Sequence, residues 1–235
     1  PSCRNDARGF RAKLLKDTNR WKSGRITKLE DSAATEAAIK SKIRSKAAAL
    51  VSGDVFVYFH SSHGGQYSGL NTYLCTYASD FTDAELGQEL ARFRTGVKIF
   101  VVIDACHSAG MFKDGKGADW PFAENVTRAF QQAKVKSGVS KSADLEKLTG
   151  YMAFITACDY NQTSWAGDPY SLYVNYLLKA CATSSADNAP RNGYLSFWEA
   201  HAFAKPRASQ QNPNQTAQSR NATLLKRTTM VKMGA

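Results

Sequence analysis

The sequence predicts a single α/β domain built on a mostly parallel central sheet, and three observations carry that expectation. Three short segments are apolar at nearly every position: DVFVYFH (Asp54 to His60), KIFVVID (Lys98 to Asp104) and YMAFITACD (Tyr151 to Asp159). Runs this short and this apolar are the pattern of strands covered on both faces. Between the first two lies TDAELGQELARF (Thr82 to Phe93), with a threonine cap, acids in its first turn and Leu86, Leu90 and Phe93 on one face. A helix joining two buried strands makes a right-handed crossover and a parallel pair. In such sheets chemistry sits beyond the carboxyl ends of the strands, where His63 and Cys106 both fall.

The other elements follow from the same periodicities. Ser2 to Trp21 mixes charge with Phe10, Leu14 and Leu15 at helical spacing. ITKLEDSAAT (Ile26 to Thr35) predicts a short strand and then a helix start with Thr35 as its N-cap. Apolar residues three or four apart between lysines and arginines make EAAIKSKIRSKAAAL (Glu36 to Leu50) a helix laid on the sheet. SSHGGQYSG (Ser61 to Gly69) is a glycine-rich loop. Thr127 to Lys147 is polar, basic and poorly periodic, which predicts a mobile basic loop inside the domain. YSLYVNYLLKAC (Tyr170 to Cys181) and LSFWEAHAFA (Leu195 to Ala204) predict two more helices, and Ser209 to Asn221 a loop.

Composition removes several function classes. The chain has 235 residues and is 43% hydrophobic, enough for one substantial core over residues 1–235 and too apolar for ground-state disorder. No apolar run approaches the ~20 residues of a bilayer span, and the first thirty residues are unlike a secretory signal. Five scattered cysteines suit reduced thiols and a cytoplasmic location better than a disulfide framework. A net charge of +11 favours nonspecific contact with anions, but the basic residues are dispersed and carry no nucleic-acid-binding motif.

The stretch VVIDACHSAGM (Val101 to Met111) places Cys106 just past a buried strand, before small residues that permit a tight turn. A thiol acts as a nucleophile when an imidazole within hydrogen-bond reach holds the ion pair and later protonates the leaving amine. His107 is a poor partner, because adjacent side chains diverge from an extended backbone. His63 follows the other strand and precedes Gly64 and Gly65, whose amides a substrate oxygen can approach. His63 is therefore the expected base, and the amides of Gly64 and Cys106 the expected oxyanion donors. His60 and His201 are read as structural, and Cys75, Cys158 and Cys181 as packed thiols. His60, His63, Cys106 and His107 lack the closely spaced pairs of a zinc site, so no metal ligands are assigned.

YFHSSHGGQ and VVIDACHSAG together resemble the two signature segments of the caspase-like cysteine peptidases, most closely the metacaspase branch, which includes bacterial metacaspase-like proteins. The similarity extends to CRNDA (Cys3 to Ala7), TDAEL, FITACDYNQTS (Phe154 to Ser164) and QNP (Gln211 to Pro213), in the same order. The resemblance implies a three-layer α/β/α domain and a cysteine endopeptidase acting on protein or peptide substrates after Arg or Lys. It implies a first pocket formed by Cys3, Asp6, Ser61 and Asp104. Two carboxylates converging on a narrow pocket would pair with a guanidinium or ammonium and repel an acid.

The resemblance also implies a strand ahead of Cys3, which this chain lacks, so the sheet is expected to expose an unpaired apolar edge. Relatives of this kind often need calcium. Here Ala84 interrupts the acids and Lys113 follows the nucleophile, leaving Asp80, Asp83 and Glu85, a poor set by themselves for an ion that takes six or more oxygen ligands, so weak or no calcium dependence is expected and no cofactor is assigned. Self-processing as a zymogen is expected in the basic loop, at Arg128, Lys134, Lys136, Lys141 or Lys147. The expected state is a monomer. Two alternatives remain open at this point: a catalytically silent caspase-like scaffold, and a peptidase of the clostripain or separase type.

Overall fold

The computed structural model describes residues 2–67, 71–105, 121–138, 144–159 and 162–234. In chain order these form α1 (Ser2–Leu14), α2 (Glu36–Ala49), β1 (Val55–Ser62), β2 (Gly64–Gln66), β3 (Thr72–Thr76), β4 (Ser79–Thr82), α3 (Asp83–Leu90) and β5 (Lys98–Ala105). There follow α4 (Pro121–Lys136), α5 (Leu145–Thr149), β6 (Met152–Thr156), α6 (Leu172–Ala180), β7 (Tyr194–Ser196), α7 (Phe197–Gln211), β8 (Gln218–Arg220), α8 (Ala222–Arg227) and β9 (Thr229–Lys232). The principal sheet has the order β1-β5-β6-β8, with β1, β5 and β6 parallel and β8 antiparallel.

Strand β5 is central because from Ile99 to Ile103 neither of its faces has polar side chains to offer water. Ile99, Val101 and Ile103 point into one core with Ile39 and Ile43 of α2, Leu86 and Leu90 of α3, and Phe122, Val126 and Phe130 of α4. Phe100 and Val102 point into the other, with Phe10 and Leu14 of α1, Tyr173 and Leu177 of α6, and Ala200 and Ala204 of α7. Side chains alternating across a strand thus separate two helical layers. The result is the expected three-layer α/β/α architecture with a mostly parallel central sheet. Caps set the helix starts: Thr35 accepts the Ala38 amide, and Thr82 with Glu85, and Ser196 with Glu199, close full capping boxes.

Five expectations are corrected. Strand β1 is an edge strand of the sheet, half-buried at Val55 and Val57, where DVFVYFH suggested burial on both faces. A cavity of about 1240 Å³ runs along its outer side, lined by β1, α1, α2 and Ile26 to Asp31. Ile26 to Glu30 joins no ladder: Ile26 and Glu30 have extended dihedrals, but no described strand pairs with them. Gly64 to Gln66 belongs to a three-stranded antiparallel sheet, β2-β3-β4, where a loop was expected. Residues 209–211 extend α7, and Gln218–Arg220 forms β8.

The fifth correction is the basic loop. Residues 127–136 are the second half of α4, and 145–149 form α5. The apolar stripe of α4 begins at Phe122, Ala123 and Val126, so a window opening at Thr127 kept its charges and cut off half its buried face. Lys134 is 3% exposed and donates to the Phe93 carbonyl, so it reads as polar in sequence but is packed. Arg128, Lys134 and Lys136 are helical and therefore unlike the extended backbone a peptidase binds, and Lys141 lies outside the described residues. Phe130→Ala should lower unfolding free energy by about 3 kcal/mol, as for a core phenylalanine. A loss under about 0.5 kcal/mol in urea denaturation would return this stretch to a surface connector.

Candidate active site

The carboxyl ends of β1 and β5 lie side by side, and their register is the basis of the site. Ser61 pairs with Asp104 and Ser62 with Ala105. One residue further on each chain come His63 and Cys106, of which Cys106, with His107, falls outside the described residues. The His63 side chain is exposed and lines the cavity beside β1 together with Cys3, Ser61 and Ser62.

Beneath these residues sits a carboxylate cluster drawn from four parts of the chain. Asp6 of α1 is fully buried and accepts the Ser61 hydroxyl at 2.8 Å and the Ser171 amide at 3.0 Å. Asp104, 4% exposed at the end of β5, accepts the hydroxyls of Ser164 and Ser171. Ser171 therefore bridges the two acids, its amide to one and its hydroxyl to the other. Burial pushes the Asp104 carboxyl up to about 6, and the Asp6 charge adds to that push, against the Ser164 and Ser171 hydroxyls and the Val174 amide. Burial also raises Asp6, against its bonds from Ser61 and Ser171.

Of the four expected pocket residues, Asp6, Ser61 and Asp104 belong to this one cluster, while Cys3, one helical turn before Asp6, is on the cavity wall. Ser164 and Ser171 were not singled out from the sequence. The only signal was position: Ser164 closes FITACDYNQTS and Ser171 precedes α6 as its N-cap residue. Gln215, fully buried, was missed as well. It donates to the Ala157 carbonyl at 3.1 Å and accepts the Trp165 amide at 2.9 Å, tying the Ser164 segment to the end of β6.

The amide of Gly64 is oriented by its ladder. The Cys75 N–H donates to the His63 carbonyl at 2.8 Å, and Gly64 is opposite Leu74 in the antiparallel pair. In that pattern Gly64 is a non-hydrogen-bonded position, and its N–H points away from β3. The Tyr73 ring packs over Gly65, where a Cβ would meet its hydroxyl at 2.4 Å and push the ring aside.

The residues set aside as structural have partners. His60 is bonded through both ring nitrogens, to Tyr58 at 2.9 Å and Ser62 at 2.8 Å, and burial holds it down at about 4. His201, 2% exposed, faces the Tyr173 hydroxyl. The buried Cys158 thiol donates to the Ala105 carbonyl. The acids considered for calcium do not form one donor set. Asp83 accepts Thr72 and Asn125, Glu85 is held by Lys40 and the α3 capping box, and Asp80 accepts the Tyr67 hydroxyl. Each of the three is thus held by separate partners, and no step below uses a metal cation.

Residues 1–224 match the family model described as the caspase domain. The chain belongs to the caspase-domain family. It is accordingly a domain of the cysteine-peptidase class, with protein substrates. Protein GSU0716 from Geobacter sulfurreducens shares the fold at a TM-score of 0.67 and 23% identity, over 99% of this chain and 90% of that one. Caspase-1 from Spodoptera frugiperda shares it at 0.57 and 10% identity, over 100% of this chain and 83% of that one. No curated protein sequence matches the chain. Among the described residues no helix is long and apolar enough to cross a membrane.

The buried acid makes a pH prediction. Its folded value, about 6, lies above its ordinary value of 3.8, so the folded state holds a proton that the unfolded chain has lost between those limits. Stability from this group is complete below about pH 4 and falls as pH rises to about 6, by up to about 3 kcal/mol. Asp104→Asn cannot ionise, so its unfolding free energy relative to wild type should climb across that window and level off above it. A difference that does not change with pH would mean that Asp104 titrates normally.

Proposed function

We propose that this domain is a metacaspase-like cysteine endopeptidase that hydrolyses peptide bonds after Arg or Lys. Cys106 is the nucleophile, His63 the proton carrier, and the amides of Gly64 and Cys106 the oxyanion donors. The observation that carries the proposal is the β1–β5 register. It brings two strands to the same level immediately before His63 and Cys106, with two buried acids directly below. In the reaction the Cys106 thiolate attacks the carbonyl carbon, and its negative charge passes to the oxygen. His63 protonates the departing amine, and water then hydrolyses the thioester with His63 accepting its proton.

Asp6 and Asp104 supply the preference for a cation. A guanidinium reaching them restores the charge compensation that burial denies, drawing Asp104 toward its ionised form. An Asp side chain there would add a third like charge. Affinity for a guanidinium should therefore rise as pH increases through about 6, the value of Asp104 before ligand binds. Agmatine, as a competitive inhibitor, measures this without the bond-breaking chemistry, and binding that weakens over the same range would contradict the assignment.

The deciding experiment compares fluorogenic peptides ending in Arg and in Asp, cleaved by wild type and Cys106→Ala, with and without a chelator. Arg cleavage should exceed Asp cleavage by more than about 100-fold, vanish in the variant and survive the chelator. Equal cleavage of both peptides would remove the pocket from the proposal. Absence of all cleavage would favour the scaffold. Loss with chelator alone, restored by calcium, would show that donors outside Asp80, Asp83 and Glu85 hold a needed cation.

A further inference from the structure

Tyr58, His60 and Ser62 occupy alternate positions of β1, so their side chains lie along one face of the strand. They are hydrogen-bonded in series, Tyr58 to His60 Nδ1 at 2.9 Å and His60 Nε2 to Ser62 Oγ at 2.8 Å. The series ends on the backbone: Ser62 Oγ donates to the His63 carbonyl oxygen, the same oxygen that accepts the Cys75 amide at 2.8 Å. The Cys75 carbonyl lies 3.3 Å from His60 Nε2, so β3 is tied to the series at both its amide and its carbonyl.

The proton positions follow from these partners. The hydroxyl proton of Ser62 goes to the His63 carbonyl, so Ser62 accepts from His60. Nε2 then carries the hydrogen, which agrees with its second neighbour, a carbonyl that can only accept. Nδ1 is left as an acceptor for the Tyr58 hydroxyl. This is one consistent arrangement of a neutral imidazole, and burial, which holds His60 at about 4, keeps it neutral at ordinary pH.

The carbonyl being held is half of a peptide group whose other half is the Gly64 amide. The peptide unit is planar and trans, so the His63 C=O and the Gly64 N–H point in opposite directions. Two donors drawing the His63 oxygen toward Ser62 and β3 therefore aim the Gly64 hydrogen the other way. Glycine makes this restraint necessary, because a peptide next to Gly can rotate into conformations that other residues exclude. Rotation of this one group would bury the hydrogen against β3 and present a carbonyl oxygen in its place.

We propose that Tyr58, His60 and Ser62 are positioning residues, a latch along β1 that fixes the His63–Gly64 peptide plane and so holds the Gly64 amide ready for a developing oxyanion. The latch rests on the proposed function for its catalytic meaning, but its mechanical part stands on the hydrogen bonds alone. Its proposed action is through the Gly64 amide rather than through contact with substrate. Its effect belongs to the transition state, when negative charge is on the carbonyl oxygen, and hardly to substrate binding.

Ser62→Ala removes the hydroxyl bond with little change in size, and Ser62→Thr restores it. In the alanine protein kcat for an Arg peptide should fall by about 10-fold or more while KM changes by less than about 2-fold, and threonine should recover most of the loss. Inhibition by an Arg aldehyde, which forms an oxyanion-like adduct with the thiol, should weaken in parallel. Agmatine, which engages only the cation pocket, should bind unchanged. His60→Phe breaks the series one step earlier and should behave like Ser62→Ala. Amide hydrogen exchange gives a readout independent of catalysis: the Cys75 amide should exchange faster in both variants and regain protection in Ser62→Thr, while amides of β5 and β6 keep theirs. Unchanged kcat with unchanged Cys75 exchange would overturn the latch. A kcat loss shared by the threonine variant, or matched by agmatine, would overturn it too, pointing to general damage. If wild type cleaves nothing, the proposed function fails; the exchange measurement then decides the latch alone.

Discussion

The register between β1 and β5 is the constraint on which the rest of this structure depends. Parallel strands whose side chains alternate between two helical layers cannot slip by one residue without exchanging their layers. Val101 and Ile103 would leave the α2–α3–α4 core, and Phe100 and Val102 the α1–α6–α7 core. That hydrophobic demand, spread over eight paired positions, places Ser61 beside Asp104 and Ser62 beside Ala105. The geometry of a few polar residues at the strand ends is thus set by apolar residues up to about 20 Å away along the strands.

Burying two acids together is expensive, and the fold offsets it with donors from separate elements. Ser61 comes from β1, Ser164 from the segment after β6, and Ser171 from the start of α6. Because Ser171 serves both carboxylates, the packing of α6 against the sheet and the protonation of Asp104 are coupled. Gln215 extends the same support to the Ser164 segment. Such a cluster is rigid only when every member is satisfied, which explains why hydroxyl side chains surround these acids rather than apolar ones.

The two edges of the sheet are treated differently. At one side β8 pairs antiparallel with β6 and closes the ladder with Arg220 on a polar surface. At the other, β1 borders a cavity whose far wall includes the extended but unpaired Ile26 to Glu30. The chain in that stretch has strand-like composition and strand-like dihedrals at its ends, yet a strand is defined by its neighbour. Composition supplies the propensity, and only hydrogen-bonding partners turn it into a ladder.

By itself the sequence determined the parallel α/β core and the capped starts of α2 and α3, and it pointed to a candidate chemical centre. Each depends on residues close together in the chain: an apolar run of seven, a Thr-x-x-Glu cap, or His-Gly-Gly and Asp-Ala-Cys-His after such runs. The tertiary structure decided what depends on residues far apart. It made β1 an edge, completed α4 by joining Phe122 and Val126 to its basic half, and recruited Ser164, Ser171 and Gln215 to the two acids. A lone serine or glutamine carries no periodic signal, because its hydroxyl or amide can satisfy itself in water as well as in a cluster. Its role exists only once folding has removed the water and left a buried carboxylate as its partner.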